Sequence, residues 1–332
     1  MKRPSLVIGT IGAFLTVLGN ASAQTSLTIY GIVDAGLVYE RGGAAGNVTK
    51  LTSGVQSGSR LGFKGVEDLG GGLSAKFLLE SGFNTDTGTL AQGNRLFGRQ
   101  SWVGLSGRWG DVMLGRQYTP HYLALDEIDP FATGLAGSST NLMSTVDRSD
   151  NTIKYATPRW RGLTGELAYG LGEVPGDSAS NRQLGASVNY ARGPLMLKVA
   201  HHRVENSIGT DHARNTLLGG KFDFGAAAAS LGVGVNQGTG AAENRDYMLG
   251  VTVPVGPGEI LASFIRKDDR TGLNADADQW ALGYTHALSK RTNFYTSFAH
   301  ISNDPGAAFT VGNASEAGSG NKAFNVGIRH KF

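Results

Sequence analysis

Apolar and polar residues alternate along most of this chain with a period of two. Residues 27–39 place Leu27, Ile29, Val33, Ala35, Leu37 and Tyr39 on one face, with Thr28, Tyr30 and Asp34 on the other. That alternation marks a strand, because successive side chains leave a strand on opposite sides. Residues from there to about 55 read as a loop rich in Gly and Ala. Segment 59–65 then sets Leu61 and Phe63 against Arg60 and Lys64, and segment 73–83 sets Leu73, Ala75, Phe77, Leu79 and Phe83 against Lys76 and Glu80. Strands are predicted next at 97–105 and 111–117. Eleven more follow at 152–157, 163–170, 183–190, 195–203, 216–224, 227–236, 246–255, 259–267, 279–287, 292–301 and 323–332, sixteen strands in all.

The connections alternate in length. Short ones at 67–72, 107–110, 158–162, 191–194, 225–226, 256–258 and 288–291 alternate with long polar loops rich in Gly, Ser and Asp. Short turns at one end and long loops at the other is the arrangement of outer-membrane barrels; a soluble sandwich has Greek-key crossings instead. The last strand puts Phe324, Val326, Ile328, His330 and Phe332 on alternate positions up to the final residue. Such an edge invites aggregation unless it is paired, and closure against 27–39 pairs it. The expected fold is all-β: a 16-stranded antiparallel transmembrane β-barrel with short periplasmic turns and long extracellular loops.

One connection, 118–151, far exceeds the roughly two to five residues of a hairpin loop, and a loop of that length is usually functional. It carries Asp126, Glu127 and Asp129, then Pro130-Phe131, then Gly and Ser. The flanking strands carry single basic residues opposite their apolar ones. The reading is that this third long loop folds inward and narrows the barrel, its acids facing the bases of the wall. The other reading is an exposed loop.

Composition narrows the class. The start Met1-Lys2-Arg3, the apolar run from Leu6 to Leu18 and the Ala21-Ser22-Ala23 site form a secretory signal peptide over 1–23, leaving the barrel domain at 24–332. The chain has 30 Lys+Arg against 27 Asp+Glu; Lys2 and Arg3 fall in the signal, so the mature part stands at 28 against 27. With no global basic field, nucleic acid is not an expected partner. Cysteine is absent and there are 50 glycines without a G-X-Y period, which excludes a disulfide framework and collagen. No stretch of the mature chain reaches the length of an apolar membrane helix.

Several stretches carry a family resemblance: SLTIYGIVDAGL, SGSRLGFKGVEDLGGGLSAKFLLESGF, LFGRQSWVGLSGRWGDVMLGRQY, NTIKYATP, LSKRTNFYTSFAH and the terminal Phe332. Together with the signal peptide they resemble the general-diffusion porins of β-proteobacteria over essentially the whole mature chain, most specifically over 59–118. The resemblance implies a homotrimer in the outer membrane, among lipid and lipopolysaccharide, with the third loop as a constriction in each pore. It maps the basic wall onto Arg60 and Arg99, and further onto Arg116 and Lys154. Many relatives have Arg where this chain has Lys154, and Lys lacks the planar fork that binds carboxylates in two places. The turn Pro130-Phe-Ala-Thr-Gly134 is also less Gly-rich than is common in relatives.

The candidate functional residues are thus pore-lining Arg60, Lys64, Arg99, Arg116 and Lys154 against loop residues Asp126, Glu127 and Asp129. Such an arrangement selects by field and size rather than by reaction. The expected function is passive diffusion of small hydrophilic solutes and ions, with a weak preference for anions. No cofactor or metal is expected. His201 and His202 are adjacent on a strand and so face opposite sides. Asn274, Asp276 and Asp278 have the spacing of a calcium loop, but Gln279 and Thr285 stand where its Gly and Glu belong. Two other readings stay open: a barrel enzyme drawing on His121, His201, His202, His212 and Asp211, or an adhesive barrel acting through its long loops.

Overall fold

The computed structural model describes residues 26–332; the expected signal peptide lies outside the described residues. The strands are β1 (Ser26–Gly43), β2 (Gly46–Ser53), β3 (Arg60–Gly70), β4 (Leu73–Gly82), β5 (Gln100–Gly107), β6 (Gly110–Tyr118), β7 (Arg148–Ala156), β8 (Leu163–Gly170), β9 (Gln183–Arg192), β10 (Leu195–Glu205), β11 (His212–Asp223), β12 (Ala228–Gln237), β13 (Glu243–Val255), β14 (Gly258–Asp269), β15 (Ala277–Ala287), β16 (Thr292–Asn303) and β17 (Lys322–Lys331). All belong to one antiparallel sheet in which neighbours in sequence are neighbours in space. The sheet closes where β1 pairs β17, from Ile32↔Lys331 to Arg41↔Lys322. The backbone of Phe332 adds two further bonds to Gly31 at 3.1 Å, so the terminal edge is fully used.

Seventeen segments make sixteen staves. β2 and β3 lie end to end along the same side of β1: Leu37 faces Leu51 of β2, and Ile29 faces Phe63 of β3. The segment 46–53, expected as loop, is therefore strand. Its Lys50 meets Glu40 of β1 at 2.8 Å across the inner face, while Leu51 faces outward. A cross-strand ion pair on one face and an apolar pair on the other stabilise pairing, and a short stretch holding one apolar residue per face hides that from a simple alternation count. The chain leaves the wall at 54–59, where the Asp34 carboxylate accepts N–H bonds from Gln56 (3.1 Å) and Ser57 (2.8 Å) and the Tyr295 hydroxyl donates to it at 2.6 Å.

The alternation in each strand separates an apolar outside from a polar inside. Outward Leu37, Val188, Leu218, Leu231 and Leu249 are all more than half exposed, which is what a lipid-facing band requires. Buried side chains on the other face are largely polar: Ser230, Asn236, Asp246, Lys267 and Asn325. The apolar core that exists is formed where the long connection between β6 and β7 packs inside the barrel.

That connection is not structureless. Helix α1 (Pro120–Ile128) starts at Thr119, whose hydroxyl accepts the Tyr122 N–H at 3.1 Å, with Pro120 at its first position. This is a favourable start, since Pro lacks the N–H that the first turn leaves unpaired. A short 3-10 turn follows at Ser139–Asn141. Leu125, Ile128, Leu135 and Ala136 are fully buried, against β9 to β12 in the case of the helix.

Candidate functional site

Loop 119–147 reaches across the interior and returns, with contacts at each step. Ile128 presses on Gly219 of β11 and Gly232 of β12, and Pro130 on Gly250 of β13. The Leu135 N–H donates to Val55 O at 2.7 Å, in the gap between β2 and β3. The Ala136 N–H reaches Ser297 Oγ at 3.0 Å on β16. The chain turns back through Asn141, which donates to Gln279 Oε1 at 2.8 Å on β15, and Ser144, whose N–H meets Asp246 Oδ2 at 3.0 Å on β13. All of these wall residues lie on the polar, inward face, so the loop narrows the interior.

Three guanidinium groups gather where the loop leaves and rejoins the wall. Arg99 donates from Nε to Glu80 Oε1 at 2.8 Å and from Nη2 to the Tyr118 hydroxyl. Arg60 lies 3.9 Å from the same Glu80 oxygen and is anchored by a 2.9 Å bond to Gly58 O. Arg148 donates to the Tyr118 hydroxyl at 2.7 Å and stacks 4.4 Å over its ring. Tyr118 in turn stacks on Tyr122, with ring centres 5.0 Å apart and planes 9° from parallel. Glu80 serves Arg99 and Arg60, and Asp147 lies 3.7 Å from Arg148; three guanidinium groups against two carboxylates leave the cluster with a net positive charge.

The other expected bases are placed differently from one another. Lys154 is buried on the inward face, with Nζ 3.4 Å from Tyr118 O and 3.9 Å from Glu166. Lys64 is exposed, 5.5 Å over the Tyr30 ring. Arg116 does not join the cluster. It follows Leu114 on the outward side of β6, and its guanidinium is held by Asp150 at 2.6 Å and Gly98 O at 2.7 Å; Arg95 shares that aspartate at 2.8 Å. Alternation with Leu114 already gives that side, and it was the family resemblance that put Arg116 on the basic wall; a bulge in β7, where Asn151 has a φ of 52°, offsets the pairing between Gly115 and Gln117 next to it.

The acids of the loop divide in the same way. Glu127 forms a 2.6 Å ion pair with Lys198 of β10, a buried wall lysine. Asp126 accepts the Thr133 hydroxyl at 2.7 Å; burial pushes its carboxyl up, Glu127 adds to this, and Thr133 and Arg60 pull the other way. Asp129 does not face the wall bases, contrary to expectation. Its carboxylate is turned into the loop and accepts the N–H groups of Phe131 (2.9 Å), Thr133 (3.1 Å) and Ser139 (2.8 Å). The tip has positive φ at Ala132, Thr133 and Leu135. Such a turn leaves its N–H groups without ladder partners, and buried donors must find an acceptor.

Sequence reading missed Arg148, Lys198, Glu80 and Tyr118 as members of the site. Arg148 fell inside the span taken as loop, yet it opens β7. Lys198 and Glu80 were visible as lone charges on the polar faces of their strands.

The residues 12–306 match the Gram-negative porin family. The chain is 35% identical to outer membrane porin protein 32 of Delftia acidovorans, covering 96% of this chain and 98% of that one. It is 31% identical to an outer membrane porin protein of Bordetella pertussis over the full length of both. Among solved structures, the anion-selective porin of Comamonas acidovorans superposes with a TM-score of 0.82 at 32% identity, covering 93% of this chain and 100% of that one. The closed barrel, its polar interior and these matches together place the chain in the Gram-negative porin family.

Proposed function

We propose that this porin is a passive, water-filled channel of the outer membrane that admits small hydrophilic solutes and ions with a weak preference for anions. The observation that carries the sign is the cluster of Arg60, Arg99 and Arg148, which holds three guanidinium groups against the two carboxylates of Glu80 and Asp147. In a narrow lumen fixed charge acts with little screening, so an excess of one sign sets which ions enter. Lys154 adds to the excess, whereas Glu127 is neutralised by Lys198 and Asp129 is spent on the loop backbone. The pore-lining role therefore falls to Arg60, Lys64, Arg99, Arg148 and Lys154, with Asp126 the loop acid that opposes them. Arg116, bound to Asp150 on the side of β6 that carries Leu114, stays outside this set.

The assembly we propose is a homotrimer, with the contact around the outer face of β1. The fold is shared with the outer membrane protein OmpT of Vibrio cholerae, solved as a trimer form, at a TM-score of 0.69 and 16% identity. A channel needs no bond chemistry, and the loop clamped inside the barrel supports a sized pore over an adhesive loop.

The test is single-channel current in a planar bilayer under a salt gradient. Openings in groups of three with a reversal potential on the anion side are expected. Arg60→Gln should move the reversal toward cations. A wild-type reversal on the cation side would overturn the charge assignment, and a folded barrel without conductance would overturn the channel.

A further inference from the structure

A second connection turns into the barrel. Between β16 and β17 the chain runs from 304 to 321, at the same long-loop end as loop 119–147, and Val311, Gly312 and Asn313 are buried. Its root is fixed by Asn303, whose side chain accepts the Phe309 N–H at 3.1 Å and donates to Phe309 O at 2.9 Å. Its return is fixed by the Val311 N–H, which meets Gly320 O at 2.8 Å. Between these points 311–320 forms a compact strap. Asn313 shapes its tip, since its side-chain oxygen accepts the N–H groups of Ser315 (2.9 Å) and Glu316 (3.2 Å).

The strap lands on the constriction loop and on the gap between β2 and β3. Its Gly312 N–H donates to Asn141 Oδ1 at 2.9 Å, and this is the asparagine that ties the loop to Gln279 of β15. Val55 O accepts the Leu135 N–H of the loop and also the Ala314 N–H of the strap, at 3.4 Å. Ser315 Oγ–H donates to Gly54 O at 3.1 Å. A Cβ at Gly134 would stand 3.4 Å from Ala314 Cβ, so strap and loop turn are in contact. The loop is thus held by the strap directly at Asn141 and indirectly through Val55.

One ammonium joins the strap to the wall. Lys50 of β2 lies 2.8 Å from Glu40 of β1 and 2.9 Å from Glu316 of the strap. Glu40 is buried and also accepts the N–H and the hydroxyl of Ser319, at 2.8 and 2.6 Å. Glu316 is the solvent-accessible member, with its side chain 33% exposed. Strap and helix α1 do not merge: a cleft of about 410 Å³ separates them, lined by Tyr122, Asp147, Phe309 and Asn313. The contact between the two loops therefore rests mainly on a few hydrogen bonds, with one ion pair behind it, and contacts of that kind open locally at low cost.

We propose that 311–320 is a strap that holds the constriction loop in its narrow position, with Lys50 and Glu316 as its latch. Breaking the latch at the mouth frees Asn141 and Leu135 and so loosens the aperture deeper in the lumen. The inference rests on the reading that loop 119–147 sizes the pore, and not on the sign of the ion preference.

The experiment uses the purified full-length mature protein, with hydrogen exchange measured in detergent at one pH and single-channel current measured in a planar bilayer. In E316A, protection of the amides at 131–142 should fall about threefold, the effect of losing one partly exposed ion pair. Replacing 309–318 by a Gly-Ser segment of equal length should lower it about tenfold or more, since the hydrogen bonds to Asn141 and Val55 go as well. Both variants should show larger and noisier current. R266Q, which removes an arginine held by Asp276 and Asp278 elsewhere on the rim, should change neither readout. Larger current in the Gly-Ser variant with protection of 131–142 unchanged would overturn the proposal, because the strap would then only obstruct the mouth. So would unchanged protection in both variants, or an equal loss in R266Q, which would make the effect one of rim charge. Heat-modifiable migration establishes that each variant is folded. The exchange readout needs no current, so failure of the strap stays distinct from failure of the channel.

Discussion

Pro130 rests on Gly250: a Cβ at that glycine would stand 2.3 Å from the proline Cγ. The same holds at Gly219, where a Cβ would meet Ile128 Cδ1 at 2.3 Å. The loop is thus seated in notches of the inner wall where only glycine leaves room. Gly250→Val should push the loop tip off β13, at a cost of about 1–3 kcal/mol, typical of an overpacked contact, without breaking the barrel. The expected readout is a larger and noisier single-channel conductance. Unchanged conductance in a folded G250V barrel would show that the tip is not seated there.

Those glycines explain part of what the sequence left unread. The abundance of glycine reads as turns, and many glycines are in turns. Gly219 and Gly250 lie mid-strand, and nothing in their local pattern says that Ile128 and Pro130 come to meet them. The strands were readable because lipid on one side and water on the other force a strict period of two. Arg60 and Lys154 were readable for the same reason, lying opposite the apolar residues of their strands, whereas the loop was marked by its length and its acids, and Arg99 by the family resemblance. Two features were not readable from the pattern: β2, hidden beside a gap in its stave, and Asp129, taken up by the loop backbone it serves. Arg116 is a different case, since alternation with Leu114 gives its outward side and only the family resemblance put it on the basic wall.

Arg148 tests the basic cluster at a residue that alternation did not flag. It contacts the Tyr118 hydroxyl at 2.7 Å and has no closer acid than Asp147 at 3.7 Å. Removing it takes one charge from the lumen and leaves Asp147, whose side chain is 48% exposed, to be solvated by water. Arg148→Gln should therefore shift the zero-current potential toward cations by an amount similar to Arg60→Gln, with the thermal transition of the barrel unchanged. A shift confined to Arg60→Gln would place Arg148 outside the ion path.

Asp129→Ala should act on shape rather than on charge. The substitution frees three N–H groups in a buried tip, and an unpaired buried donor costs about 1–3 kcal/mol. The tip should loosen, with faster hydrogen exchange over 130–139 and larger current fluctuations, while the reversal potential moves little. A large selectivity change with a quiet, ordered loop would mean that Asp129 faces the pore after all.

The seat of helix α1 is sensitive to pH through His121. Burial, reinforced by His202 and His201, lowers its imidazole from 6.5 to about 4. The unfolded chain therefore binds a proton more readily than the folded one between those values. The stability that neutral His121 contributes is present above about pH 6.5 and is lost as pH falls toward 4, at most about 3 kcal/mol for a shift of this size. Asp129 works in the opposite direction. Burial lifts its carboxyl from 3.8 to about 6, so its contribution favours the folded loop at acid pH and is lost as pH rises through about 6. The two oppose each other across pH 4–6, and the wild-type loop should show a shallow pH dependence there. Replacing His121 by Asn removes one arm of the balance. In that variant, acidification from pH 6.5 to 4.5 should raise the protection factors over 120–139, which take exchange relative to the intrinsic rate at each pH, whereas in wild type they stay nearly flat. A profile identical to wild type would show that His121 takes up its proton without disturbing the helix, and that the packing of α1 on β10 leaves water enough to solvate the charge.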